Sequence, residues 1–144
     1  RTEGEALAAD LRAHAAVILS YVEKVEARSP VTVSQYRERL ENKLREVLEG
    51  RNIDESRILT EAAIFADKVA VDEETVRLRS HLSQLEQLLT FGGAVGRKLD
   101  FLLQEMNREA NTIGSKGNDL EQTRSVVEIK AELEKIREQI QNIE

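Results

Sequence analysis

Apolar residues return every three or four positions along most of this chain, the spacing that lines up one face of an α-helix. Leu7, Leu11, Ile18, Val22 and Val25 mark a first helix over about residues 3–28. It is predicted to stop at Ser29-Pro30, because proline disfavours the helical conformation in the residue before it. Val33, Tyr36, Leu40, Leu44 and Val47 predict a second helix closed by Gly50, with Glu38, Arg39, Glu41 and Lys43 outward. A third, capped by Asp54 or Ser56, carries Ile58, Ala62, Phe65 and Val69 on one stripe. The fourth starts at the acidic triplet Asp72-Glu73-Glu74 and runs through Leu78, Leu82, Leu85 and Leu89 to Gly92-Gly93, pairing with the third as a hairpin. Val95, Leu99, Leu102, Leu103, Met106, Ala110 and Ile113 form the seam of a fifth, ending at Gly114. After a loop over Ser115 to Asn118, Val126, Ile129, Leu133, Ile136, Ile140 and Ile143 mark a last helix that runs uncapped to the final residue.

The pattern predicts an all-α fold of about six helices in an elongated bundle. Its long amphipathic first and last helices carry stripes that suit internal packing and a subunit interface equally well. Residues 1–53 read as a helical connecting or oligomerisation region and residues 54–144 as a C-terminal helical domain. Composition agrees: of 144 residues 33% are charged and 40% apolar, but only 3% are aromatic and none is Trp, the palette of packed helices. The absence of cysteine excludes disulfides, thiolate metal sites and cysteine nucleophiles, so a bound metal must use oxygen or imidazole. No apolar run is long enough to cross a membrane and the N-terminus has no signal-peptide pattern, which points to the cytoplasm. The chain begins without Met inside a helical pattern and reads as part of a longer protein.

A net charge of −6 argues against bulk electrostatic capture of nucleic acid, so a role there needs a local site. At 100° per residue, Glu74, Arg77, His81 and Gln84 form a polar strip beside the leucines of the fourth helix. On the fifth, Lys98, Glu105, Glu109 and Thr112 share a flank. Glu74, His81, Glu105 and Glu109 are candidates to hold Mg²⁺ or Mn²⁺ between facing helices, an oxygen-rich set suited to phosphodiester hydrolysis. The competing reading is an ordinary solvated edge. The ferritin-like Glu-x-x-His pattern is missing, since Leu78 stands three residues before His81. Arg97, Lys98, Arg108 and Lys116 gather around the fifth helix, as a phosphate site or as plain surface charge. Lys130, Glu134, Arg137 and Gln141 on the last helix fit solvated ion pairing. His14 falls on an apolar stripe and reads as a packed histidine. Gly92-Gly93 and Gly96 lack the Gly-Lys-Ser/Thr of a phosphate-binding loop, so no nucleotide cofactor is expected.

The stretch GRKLDFLLQEMNREANTIGSKGNDL, residues 96–120, with VEIKAELEKIREQIQNIE, residues 127–144, and the upstream EETVRLRSHL, residues 73–82, resembles the signature of the YicC/YloC family. The opening Arg1-Thr2-Glu3-Gly4-Glu5 is similar to that family's middle region. The resemblance implies a cytoplasmic, divalent-metal-dependent endoribonuclease that acts on single-stranded RNA and assembles into ring-like homo-oligomers, with a further domain ahead of this region. It implies that Glu74, His81, Glu105 and Glu109 are the catalytic and metal residues and that Arg77, Gln104, Asn107, Arg108, Ser115 and Lys116 contact RNA. Arg108 and Lys116 would lie on phosphates, and Asn107 or Gln104 would orient the scissile group. Ala70 stands where the family pattern suggests an acid. The alternative function is a non-catalytic helical oligomerisation or adaptor module, in which these polar motifs only fix register.

Overall fold

A computed structural model describes residues 3–91 and 96–142. Among them are five helices and no strand: α1 (Glu3–Val47), α2 (Glu55–Asp67), α3 (Asp72–Phe91), α4 (Gly96–Ser115) and α5 (Leu120–Gln141). None is long and apolar enough to cross a membrane. The expected stop at Gly92-Gly93, the seam positions Val95 and Ile143, and Arg1 and Thr2 lie outside the described residues.

The count differs from six because the first two predicted helices are one, α1, with Pro30 inside it. Proline in a helix interior removes one backbone hydrogen bond and crowds the carbonyl four residues back, a cost of about 3 kcal/mol. Packing on both sides of the proline outweighs that local preference. Ile18, Val22, Val25, Ser29 and Thr32 are all buried on one face, while Pro30 itself faces solvent. At about 1.5 Å per residue, the 45 residues of α1 span roughly 67 Å.

The remaining helices pack around this rod. α3, α4 and α5 follow one another, and α1 closes the ring by contacting both α3 and α5. The predicted leucine and isoleucine stripes are the core: Leu78, Leu82 and Leu85 of α3, Leu99 to Ile113 of α4 and Val126 to Ile140 of α5, with Leu11, Ile18, Val22 and Val25. The expected hairpin of α2 with α3 does not form, and α2 packs on α1 instead. Its buried face is Ile58, Ala62 and Ala66, not the stripe through Phe65. The leucines of α3 are taken up by the core, so the small face of α2 covers the part of α1 that core leaves bare. Phe65 is exposed with the Lys68 ammonium 4.7 Å from its ring centre.

Asp54 is the cap of α2, accepting from the Ser56 N–H at 3.1 Å. Asp119 caps α5 by accepting from the Gln122 N–H at 2.9 Å. The Gln122 side chain donates to the carbonyls of Ile113 (3.0 Å) and Lys116 (2.9 Å), so one residue serves the start of α5 and the end of α4. Between them Gly117 (φ +82°) and Asn118 (φ +48°) adopt left-handed backbone. At its far end α5 stops at Gln141 with Asn142 as its C-cap rather than running on uncapped.

Candidate functional site

α3 and α4 run antiparallel, and the contact of Arg77 with Glu109 fixes their register. Four residues further along α3 and four back along α4, His81 comes level with Glu105. Gln84 and Phe101 then line one groove at the open end of the pair.

The four residues expected to hold a metal divide into two kinds. Glu74 and Glu109 are buried, 2% and 5% exposed, and each is engaged by a cation. Lys116 Nζ lies 2.5 Å from Glu74 Oε1 and also donates to the Ala70 carbonyl at 3.2 Å. Arg77 Nε donates to Glu109 Oε2 at 2.9 Å, and Arg77 Nη1 stands 3.7 Å from Glu73. The Glu109 hydrogen bond leads the effects that hold the Arg77 guanidinium above its ordinary pKa. The second Glu74 oxygen, Oε2, is buried without a hydrogen-bond partner. Position 70 contributes its backbone carbonyl here, which an alanine supplies as well as an acid.

His81 and Glu105 are different. The His81 ring is half-buried with Nδ1 3.5 Å from the Gln84 amide nitrogen. Glu105 is partly exposed with only a distant neighbour, Arg108 Nη1 at 3.9 Å. Among the described residues no three His, Asp or Glu side chains are gathered closely enough to hold a metal ion. Two carboxylates neutralised by lysine and arginine do not fit a divalent cation, so the four residues form no metal cradle within one chain.

The expected RNA-contacting residues also separate. Gln104, Asn107, Arg108 and Ser115 line an open groove on α4, joined by Asn111 and Thr112. Gln104 and Asn107 continue into a second groove between α4 and α5 beside Lys130, Glu134 and Arg137. Arg77 and Lys116 are instead committed to the two buried carboxylates. Asn111 was not picked out from the sequence, although it lies four positions after Asn107 on the same face. Its Oδ1 accepts from Lys130 Nζ at 2.6 Å, tying the groove to α5. On α5 itself Arg137 pairs with Glu134 as the charge spacing suggests.

His14 is the packed histidine its stripe implies, with a polar task. Its Nδ1 stands 2.6 Å from Glu132 Oε2 of α5, and Gln139 approaches Nε2 at 3.3 Å. Burial pushes the Glu132 carboxyl up, but hydrogen bonds from His14 and Lys135 and the charges of both residues outweigh it and leave the pKa below the usual value. A larger groove lies between α1 and α5, lined by Tyr21, Arg28, Val31, Arg124 and Val127, and holds none of the residues singled out by the sequence.

Comparison with known proteins gives a family-model match over residues 25–144, to the domain described as "Endoribonuclease YicC-like, C-terminal". The chain is 49% identical over 143 residues to the "Probable endoribonuclease YicC" of Clostridioides difficile, covering 99% of this chain and 49% of that protein. It is 39% identical over 142 residues to the protein of the same name from Haemophilus influenzae, again covering 99% of this chain and 49% of the relative. The chain thus spans about half the length of the curated relatives it matches.

Proposed function

Since the chain belongs to the YicC-like endoribonuclease family, we propose that it is the helical part of an enzyme that cleaves single-stranded RNA. The observation that carries this reading is the open α4 groove of Gln104, Asn107, Arg108, Asn111, Thr112 and Ser115. Single-stranded RNA presents phosphates, 2′-hydroxyls and unpaired base edges, and this groove offers a guanidinium, amides and hydroxyls in one row. Arg108 is the cation of this groove, and Lys130 stands in the adjoining one between α4 and α5, where phosphates would be met locally.

His81 is the group in this reading that handles protons. Glu74 and Glu109 are occupied by their cations, whereas His81 and Glu105 are accessible and level with one another across the two helices. Imidazole is the side chain most often used to take and give a proton in such chemistry. The Mn²⁺ or Mg²⁺ dependence implied by the resemblance enters only with ligands beyond the four-residue set. Mg²⁺ is commonly bound by one or two carboxylates together with substrate phosphates and water, and Glu105, the accessible carboxylate of the set, would be the one to hold it. Arg77 and Lys116 act on this surface indirectly, by locking α3 and the loop after α4 in place.

Incubation of the full-length protein with end-labelled single-stranded RNA, with Mn²⁺, Mg²⁺ or EDTA, tests the proposal. Internal cleavage is expected, reduced about 100-fold or more in His81→Gln and Glu105→Gln with assembly unchanged. Correctly assembled protein that cleaves no RNA with either metal would overturn the reading in favour of a helical interaction module.

A further inference from the structure

Phe101 stands exposed in the middle of a polar surface, 57% accessible on the outer face of α4. Burial elsewhere would have been the favourable use of a phenylalanine in a chain with only five aromatic residues. Three of the five are shielded by cations of their own chain: Lys24 lies over Tyr21 at 4.6 Å, Arg39 over Tyr36 at 5.8 Å and Lys68 over Phe65 at 4.7 Å. Among the described residues no cation covers Phe101 or Phe91, the last residue of α3, but only Phe101 follows two cations, Arg97 and Lys98, by one helical turn on its own helix.

Its position continues the groove already described. Arg97, Phe101, Gln104, Arg108, Asn111 and Ser115 succeed one another at intervals of four and three, so they form one exposed stripe along α4. The stripe extends roughly 27 Å at about 1.5 Å per residue. Around the ring, Gln84 and Gln87 of α3 and Arg97 and Lys98 of α4 line a shared hollow whose floor is Leu88 and Leu102. Asp100, the acid beside it, accepts a hydrogen bond from Gln104 Nε2 at 3.1 Å.

We propose that Phe101 is a base-stacking site for single-stranded RNA, with Arg97 and Lys98 on the adjoining phosphates and Gln84 and Gln87 against the base edges. The inference rests on the reading of α4 as the RNA-facing surface and adds a subsite to it. A ring with a free face among cations and amides suits a nucleobase, because every base offers a π-face and the backbone beside it is anionic. An aromatic rimmed by cations also occurs at protein interfaces, and the oligomer-size measurement below separates that occupant from RNA.

Fluorescence anisotropy with full-length protein in EDTA, which holds cleavage off, tests this on a labelled oligouridylate and an abasic ribose–phosphate oligomer of equal length. Phe101→Leu is expected to weaken oligouridylate binding about tenfold, with the salt dependence unchanged, and to leave the abasic oligomer unaffected. Phe101→Tyr should restore binding. Arg108→Gln should weaken both oligomers and lower the salt slope by about 0.7. If Arg108→Gln weakens binding and Phe101→Leu does not, the stacking site is overturned and the RNA-facing groove stands. If the unmodified protein binds neither oligomer, both are overturned. A Phe101→Leu variant that changes oligomer size at unchanged RNA affinity would assign the ring to a protein contact and also overturn the proposal. Because the side chain is exposed, the variants retain the fold, checked by circular dichroism.

Discussion

Gly117→Ala separates two reasons for a glycine, and Gly50→Ala is its control. Both glycines have left-handed backbone, φ +82° and φ +79°. An L-residue there costs about 1–2 kcal/mol, so both variants carry that loss. At Gly50 an added Cβ meets nothing within 4 Å, whereas at Gly117 it would lie 2.9 Å from Thr32 Cγ2 and 3.9 Å from Val69 Cβ. Thr32 is buried on α1 and its hydroxyl donates to the Arg28 carbonyl at 3.3 Å, so it yields only with the packing around it. Overpacking of this kind adds about 1–3 kcal/mol. Gly50→Ala should therefore cost about 1–2 kcal/mol and Gly117→Ala about 2–5 kcal/mol. With an unfolding entropy of about 2.1 cal/mol/K per residue, each kcal/mol lowers the melting temperature of these 144 residues by roughly 3 °C. The expected losses are roughly 3–6 °C and 6–15 °C. Urea titration and thermal melts measure both. Thr32→Ser, which removes Cγ2 and keeps the hydroxyl, should recover most of the difference when combined with Gly117→Ala. Equal losses at the two glycines, or no recovery from Thr32→Ser, would refute the close approach. Strain at Gly117 also moves the neighbouring Lys116, so the α4 groove should weaken with it.

Lys116→Met leaves the buried Glu74 carboxylate without its cation and should cost roughly 3 kcal/mol by denaturant titration, with Lys116→Met/Glu74→Leu recovering much of the loss. Asp119 is held below the usual carboxylate range first by its hydrogen bond from Arg28, against burial, and then by the Gln122 N–H. A lowered folded-state pKa contributes stability above the unfolded value, near 3.9, and loses it as pH falls through the folded one. Asp119→Asn keeps a good cap and should flatten the acid limb of a stability–pH curve, and an unchanged limb would contradict this assignment. Pro30→Ala restores a helix-forming residue in the middle of α1 and should raise stability by about 1–3 kcal/mol, whereas a loss would show that the ring is needed.

The periodic residues determined the helical class and most of the core. Leu99, Leu102, Leu103, Met106, Ala110 and Ile113, and Val126 through Ile140, bury as their spacing says, because period 3.6 on a strongly amphipathic segment leaves one way to hide the stripe. The caps at Asp54 and Asp119 are local chemistry and follow the same logic. Three things only the tertiary structure decided. Pro30 reads locally as a stop, but a face buried before and after it carries α1 through, and no local signal records that. The partner of α2 depended on which surface remained uncovered after α3, α4 and α5 had packed. The polar candidates divided by burial rather than by spacing. Glu74 and Glu109 lie at the same helical angles as accessible acids would, yet Lys116, 42 residues from Glu74, and Arg77, 32 residues from Glu109, neutralise them. Charge pairing across that distance depends on the register of α3 against α4, which follows from how the whole bundle closes.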